Sequence, residues 1–320
     1  MSLRAVFTFP SRNLVAVIPC VICVALLCGL FVDTSPLKIL ILPVAMLTIF
    51  PAMIGFQPQE LLELTDLRLM SVNLVLNFLA LPLAALLIGK LFLESWPELQ
   101  AGLLIISVVP GGNMAVAFTM LFEGNVRASL KLSTLNLILG SLLAPLYLFF
   151  LAGTLVEIDI VHIGRTIGLV VFIPLFAGVY TYRMLLKKIS QEEFKEKIKP
   201  LLPAFSVWGL IYLLFTSISM KAEMFFGYPE TIFQALSCLL LWYCTILTIC
   251  VIIGRNFFSY KDAISLLLNV ELRNLPICIG IALAAFPPKT AMMIALAFLF
   301  QQQLAIWFWK LNKKYPLLKH

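Results

Sequence analysis

Long apolar segments, separated by short polar connections, follow one another along the chain. A helix needs about 20 apolar residues to cross the hydrocarbon core of a bilayer. Ten segments are long enough, at about 13–32, 36–55, 69–93, 99–121, 126–153, 161–185, 201–219, 230–254, 260–286 and 288–311. The longest connection, KKISQEEFKEKIKP, is predicted to be a solvated link between the sixth and seventh spans. The pattern predicts an all-α polytopic membrane protein with ten spans.

Two of these spans are interrupted in the middle. The fourth contains VVPGGNMAV and the ninth contains NVELRNLPIC. Proline removes a backbone donor and glycine has little helix propensity, so both segments predict broken helices. In hydrocarbon the freed backbone groups must find partners, and such breaks persist where they line a cavity or pack against protein.

The two breaks fall at corresponding places in the chain. Each lies in the fourth member of a set of five spans, which divides the chain into repeats at 1–153 and 154–320. Because five is odd, the second repeat is predicted to be inverted relative to the first. Matching breaks in inverted repeats are typical of the central site of a secondary transporter. The alternative is two unrelated kinked helices.

Composition and charge agree with a membrane location. The chain is 62% hydrophobic and 12% charged, with a mean hydropathy of +1.03, too few charges to cover a soluble protein of this size. Seventeen Lys and Arg residues fall on one predicted side and five on the other. This bias predicts cytoplasmic N- and C-termini in a plasma membrane, the inner membrane of a bacterium. The net charge of +7 therefore indicates a lipid bilayer as partner and not nucleic acid.

Polar residues recur at one depth in five of the spans. They are Asn77, Asn113, the run Ser129, Ser133, Thr134 and Asn136, the group Asn269, Glu271, Arg273 and Asn274, and Gln301 to Gln303. A single buried amide usually joins two membrane helices, but this convergence predicts a shared polar cavity. The sequence has no paired catalytic carboxylates at membrane depth, no metal cluster and no nucleophile–base motif, so we expect a protein that is not an enzyme.

Several motifs resemble the bile acid:sodium symporter superfamily. They are LPVAMLTIFPAMIGFQPQEL, PGGNMAV, EGNVRASLKLS and the ninth-span segment ending in Arg273 and Asn274. The resemblance covers essentially the whole chain and is to a divergent prokaryotic-type member. It implies a monomer with a panel domain of spans 1, 2, 6 and 7 and a core domain of spans 3–5 and 8–10. The broken helices would cross in the core, with substrate between the domains.

Members of that family carry organic anions, usually with two sodium ions, and this chain departs from their ion ligands. By resemblance, Asn77 stands where a glutamine is usual, while Ser129 and Ser133 match hydroxyl ligands. Asn269 stands where the family has a glutamate, and Arg273 stands where it has a second glutamine. A guanidinium repels sodium, and the missing carboxylate no longer balances the ion. We therefore expect no cofactor beyond sodium, loss of at least one sodium site, and Arg273 as a fixed cation in its place.

Glu271 has three possible roles: it neutralises Arg273, it carries protons, or it shifts in register to rescue one sodium site. By resemblance, Asn113, Asn274 and Gln303 contact the substrate together with Arg273. The N-termini of half-helices at the breaks attract anions.

The expected function is secondary active transport of a carboxylate or sulfonate by alternating access, with altered or lost sodium coupling. The substrate would be bile-acid-like or a small keto or hydroxy acid. One alternative is a receptor or channel on the same fold. Another is an arsenite-type efflux carrier, although the cysteine which that group places after the first proline is Gly111 here.

Overall fold

A computed structural model describes residues 3–54, 66–153, 155, 161, 165, 168–220, 222–227 and 229–318. Every regular element in these ranges is helical. The α-helices are α1 (Leu3–Arg12), α2 (Leu14–Phe31), α3 (Ile41–Met53), α4 (Leu67–Val75), α5 (Leu81–Phe92), α6 (Pro97–Val108), α7 (Asn113–Leu121), α8 (Val126–Tyr147), α9 (Ile173–Leu186), α10 (Leu202–Ser219), α11 (Ala222–Gly227), α12 (Pro229–Phe257), α13 (Tyr260–Glu271), α14 (Leu275–Ala285) and α15 (Pro288–Lys314). Helical turns of other types include Ser35–Leu40, Leu76–Ala80, Leu148–Ala152, Gly168–Phe172 and Phe194–Ile198, the last of which follows the short α-helical turn Gln191–Glu193.

Six helices within the described residues are long and apolar enough to cross a membrane, or seven if the bent pair α1 and α2 forms one span. Shorter apolar helices cover 35–51, 97–108 and 173–186, within three further predicted spans. The multi-pass membrane class is therefore confirmed, whereas the count of ten spans and the inverted repeat stay predictions. The tail of the second-span motif, within the segment 55–65, and the start of the second repeat, 154 and 156–160, lie outside the described residues.

The chain forms two compact units. Unit 1 comprises Met1–Gln57, Ile158–Pro229 and Pro276–Ala295. In it, α10 packs against α2 and α3, and α9 packs against α3. Two side chains of α10 bond to backbone carbonyls elsewhere in the unit: Tyr212 Oη donates to Leu37 O (2.8 Å), and Trp208 Nε1 donates to Phe7 O (3.0 Å). These bonds fix α10 as the centre of unit 1.

Unit 2 comprises Pro58–Glu157, Glu230–Leu275 and Leu296–His320 and contains every predicted site residue. Pro97 is the first residue of α6, where the missing N–H would have no partner anyway. In the middle of this unit α6 and α13 are buried on nearly all sides. Polar residues on these two helices therefore lie inside the protein and not against lipid. Both predicted breaks are present: α6 ends at Val108 before α7, and α13 ends at Glu271 before α14.

Candidate functional site

The two breaks touch each other inside unit 2. The backbone N–H of Asn274 donates to Val109 O (3.4 Å), joining the segment after α13 to the segment after α6. A Cβ atom on Gly111 would lie 1.8 Å from Leu272 O, far closer than any real contact. Gly111 therefore permits a close backbone approach that no other residue allows. The PGGN motif thus provides the space in which the ninth-span break lies.

The guanidinium of Arg273 is surrounded by oxygen atoms. Nε donates to Ile106 O (2.9 Å), and Nη2 donates to Ser107 O at the end of α6. Nη1 donates to Asn77 Oδ1 and to Val270 O (3.2 Å). The residue is only 2% exposed. Three backbone carbonyl oxygens and one side-chain amide oxygen therefore accept hydrogen bonds from this cation. The same set of oxygens could coordinate a hard metal ion.

The backbone of Arg273 is held separately from its side chain. Its N–H donates to Gln301 Oε1 (2.8 Å), and its carbonyl accepts from Gln301 Nε2 (3.1 Å). Tyr243 Oη donates to the same Gln301 Oε1 (3.3 Å). Side chains of α12 and α15 thus meet at the break that follows α13.

Beside Arg273 lies a buried network that we call the amide cluster: Asn73, Asn77, Asn136 and Asn269, with Thr119, Ser129 and Ser133. Asn269 is its centre. Asn269 Nδ2 donates to Ser129 Oγ (2.8 Å) and to Ser265 O (2.8 Å), and its Oδ1 accepts from Ser133 Oγ (2.7 Å). Thr119 Oγ1, which donates to Ala115 O (2.7 Å), lies 2.9 Å from Ser129 Oγ. Both oxygens of the Ser129–Asn269 pair are thus occupied by neutral donors.

The other amides extend the cluster to α4 and α8. Asn73 Nδ2 donates to Asn136 Oδ1 (2.6 Å), and Asn77 Nδ2 donates to Asn73 Oδ1 (3.0 Å). Asn136 Nδ2 and Asn77 Nδ2 both donate to Asn269 O, at 3.3 and 3.5 Å. Asn77 lies in the π-helical turn Leu76–Ala80, a widened turn that is frequent at functional sites. One chain of hydrogen bonds therefore connects Asn73 to the last turn of α13.

Glu271 is the last residue of α13 and is fully buried. Neither carboxyl oxygen accepts a hydrogen bond in the part of the chain that the structure describes. Arg273 acts on Glu271 electrostatically, and its guanidinium donates to the four oxygens named above. The acid and the cation are thus electrostatically coupled but not hydrogen-bonded to each other.

With this geometry established, comparison with known proteins identifies the family. A model described as the Sodium Bile acid symporter family matches residues 14–227. The chain belongs to this family. Its members are membrane transporters, which is compatible with a protein that is not an enzyme.

Individual relatives of this symporter family are distant. The uncharacterized protein YbaS of Bacillus subtilis is 26% identical over 247 residues, covering 74% of this chain and 76% of YbaS. The arsenical-resistance protein Acr3 of Corynebacterium glutamicum is 23% identical over 243 residues, covering 72% of this chain and 65% of Acr3. The hepatic sodium/bile acid cotransporter of Rattus norvegicus is 32% identical over 114 residues, 31% of each chain. The match thus spans less than two thirds of Acr3 and of the cotransporter.

The structure brings most of the predicted ion and coupling residues together. Asn77, Ser129, Ser133 and Asn269 join the amide cluster, and Arg273 borders it through Asn77. Their roles stay predictions.

The predicted substrate residues are less concentrated. Asn274 lies against the first break, with its Nδ2 3.5 Å from the point where a Cβ of Gly112 would be. Gln303 is half-buried in α15, two positions beyond the glutamine that contacts Arg273. Asn113 is the first residue of α7, and its side chain lies outside the described residues.

Sequence reasoning missed Asn73, Thr119, Tyr243 and the special position of Gln301 among the three glutamines. Asn73 and Asn77 are four residues apart, which places them on one helix face, and this spacing was the available signal. The carbonyl partners of Arg273 give no signal in sequence, because every residue has a carbonyl group.

Proposed function

We propose that this protein is a secondary transporter of an organic anion in which Arg273 takes the place of one coupling ion. The observation that supports the proposal is the oxygen environment of the guanidinium. Four oxygen atoms converge on a permanent positive charge, in a region where family members are expected to bind sodium. A guanidinium stays protonated at any physiological pH, so this charge does not leave during a transport cycle.

The amide cluster supports loss of sodium binding at the second of the two sites that the family is expected to use. Sodium is a hard cation that needs oxygen ligands with free lone pairs and, usually, a carboxylate. Ser129 Oγ already accepts a hydrogen bond from Asn269 Nδ2 and contacts the Thr119 hydroxyl, and Asn269 Oδ1 accepts one from Ser133. The cluster consists of neutral amides and hydroxyls, so it supplies no negative charge. These residues therefore form a network of neutral groups that hydrogen-bond to one another, and this network suits a sodium ion poorly.

An anionic substrate follows from the same charges. Arg273 is a cation at the contact between two breaks, and α7 begins directly after the first of them. The first N–H groups of a helix and its positive dipole end favour negative groups. A carboxylate or sulfonate is the ligand class that this arrangement favours.

An arsenite-type carrier is disfavoured by the geometry at Gly111. An arsenite carrier of that group has a cysteine at this position. Here even a Cβ would lie 1.8 Å from Leu272 O. The backbone of the break would have to move before a cysteine fitted. A non-transporting receptor or a channel on the same fold is the remaining alternative, because a fully paired ion region does not by itself require coupled transport.

Uptake into proteoliposomes tests the proposal. Cholate and pyruvate serve as probes, each with a sodium gradient, a proton gradient or neither. We expect saturable uptake of one of these anions. This uptake should not require sodium ions at both of the sites that the family is expected to use. Strict sodium dependence with a two-ion Hill slope would contradict the role of Arg273, and saturable binding without flux would indicate the receptor.

Two variants refine this test. The double variant Arg273→Gln, Asn269→Glu restores an amide and a carboxylate at the two positions, so sodium should raise its thermal stability while leaving the wild type unchanged. No sodium effect in the double variant would count against the proposal. Glu271→Gln separates the roles of that carboxyl, since loss of uptake driven by a proton gradient would assign proton coupling to Glu271.

A further inference from the structure

Three consecutive glutamines in α15 have different surroundings. Gln301 and Gln302 are 1% and 3% exposed, whereas Gln303 is half-buried. Gln302 Nε2 lies 3.6 Å from Met114 Sδ, a weak acceptor. Gln301 instead pairs with both polar groups of one peptide backbone, the N–H and the C=O of Arg273. Among the contacts of the described residues, Gln301 is therefore the one glutamine of the three that reaches the ninth-span break through paired hydrogen bonds.

The break explains why such a partner is needed. In an unbroken helix the N–H of Arg273 would donate to Asn269 O, four residues earlier. That carbonyl instead accepts from the side chains of Asn77 and Asn136. The carbonyl of Arg273 would likewise accept from the residue four positions later, but it accepts from the Leu275 N–H (3.0 Å) and from Gln301. Within a membrane, backbone groups released in this way have no water to replace the lost partners.

Gln301 replaces the lost hydrogen-bond partners of both backbone groups of Arg273 at once. A glutamine side chain ends in an amide, which has the same donor and acceptor as a peptide unit. Its Oε1 accepts from the Arg273 N–H and its Nε2 donates to the Arg273 carbonyl. Tyr243 Oη donates to the same Oε1 (3.3 Å), which favours the orientation of the amide that points its oxygen towards Arg273 N–H.

We propose that Gln301 is a positioning residue that substitutes for the missing peptide unit and fixes the backbone of Arg273. With the backbone fixed, the guanidinium reaches the carbonyls of Ile106 and Ser107 at the other break. Gln301 thereby joins α15 to the contact between the two breaks. Its importance for transport rests on the proposed function, whereas its effect on the backbone does not.

Hydrogen exchange resolved to single amides tests this inference on the full-length protein in detergent. Gln301→Met removes donor and acceptor at nearly constant volume, and we expect the Arg273 amide to exchange about fivefold faster, the factor that corresponds to loss of one ordinary hydrogen bond. Gln301→Glu keeps an acceptor oxygen and should retain most of the protection. Gln302→Met and Gln303→Met are matched controls in the same helix and should leave the Arg273 amide unchanged.

Two results would overturn the inference. One is an unchanged rate at the Arg273 amide in Gln301→Met. The other is faster exchange spread evenly along α12 and α15, which would indicate general loosening of packing. If Gln301→Met does not fold, Tyr243→Phe gives the same test with a smaller expected increase, and Gln301→Glu gives the rescue.

Uptake of cholate and pyruvate by the same variants separates the two proposals. We expect Gln301→Met to lower the maximal rate several-fold and Gln301→Glu to recover part of it. An unchanged exchange rate at Arg273 refutes the positioning role whatever the uptake shows. A wild-type protein that binds these anions without carrying them refutes the proposed function, while the exchange result still decides the role of Gln301.

Discussion

Replacing Arg273 by methionine tests the central feature of the site. Methionine is unbranched and apolar and fills much of the same space, but it makes no hydrogen bond to the four oxygens that the guanidinium contacts. Those oxygens would be left buried without donors. Removing one member of a buried charged network costs about 3–5 kcal/mol, because the remaining groups stay desolvated. We therefore expect Arg273→Met to lower the free energy of unfolding by about this amount.

The measurement is reversible unfolding of the purified protein in mixed micelles, in parallel with two further variants. Arg255→Met removes an exposed arginine near the end of α12 and should change stability by less than about 0.5 kcal/mol. Arg273→Lys keeps the charge but concentrates its donors at one nitrogen, so we expect an intermediate loss. An Arg273→Met protein as stable as Arg255→Met would refute the idea that the guanidinium holds these oxygens together.

The effect of sodium on stability provides a second test with the Arg273→Met variant. If the guanidinium replaces an ion, the oxygens released in Arg273→Met form an empty cation site, and sodium should stabilise this variant more than the wild type. At a concentration ten times the Kd, binding to the folded state adds about 1.4 kcal/mol. Potassium at equal ionic strength is the control. Equal effects of both salts on both proteins would contradict the fixed-cation hypothesis.

Two further substitutions test the packing around this region. Gly111→Cys forces a Cβ into a carbonyl oxygen 1.8 Å away and should lower the thermal midpoint by several degrees, whereas Gly168→Ala has no atom within 4 Å of its new Cβ and should have little effect. Asn136→Leu leaves Asn73 Nδ2 without an acceptor and should destabilise the protein by about 1–3 kcal/mol in the same unfolding assay, and an unchanged stability would mean that the amide cluster is not cooperative.

Much of the fold could be predicted from local chemistry. Runs of apolar residues determine the helices, and proline and paired glycines determine the breaks at Pro110 and before Pro276, because these residues change the backbone wherever they occur. The meeting of Asn77, Ser133 and Asn269 also followed from a pattern, since polar side chains in lipid seek each other.

The remaining details depend on register in three dimensions. Gln301 and Gln303 look equivalent in sequence, and only the position of the break relative to α15 decides which one reaches Arg273. The carbonyls of Ile106 and Ser107 are available because α6 ends just beyond them, which determines where their unpaired oxygens point. Contacts to backbone atoms of this kind need the structure.

The π-helical turn at Leu76–Ala80 has a consequence for how this chain tolerates length changes. A π-turn holds one residue more than an α-turn, so the helix on either side of it is out of phase by about 100°. Deleting a single residue there, such as Ala80, would restore regular α-helix and rotate α5 by that angle relative to α4. Part of the buried side of α5 would then turn towards lipid, although no polar or charged residue had been altered. In this segment the number of residues is therefore as strict a requirement as their identity.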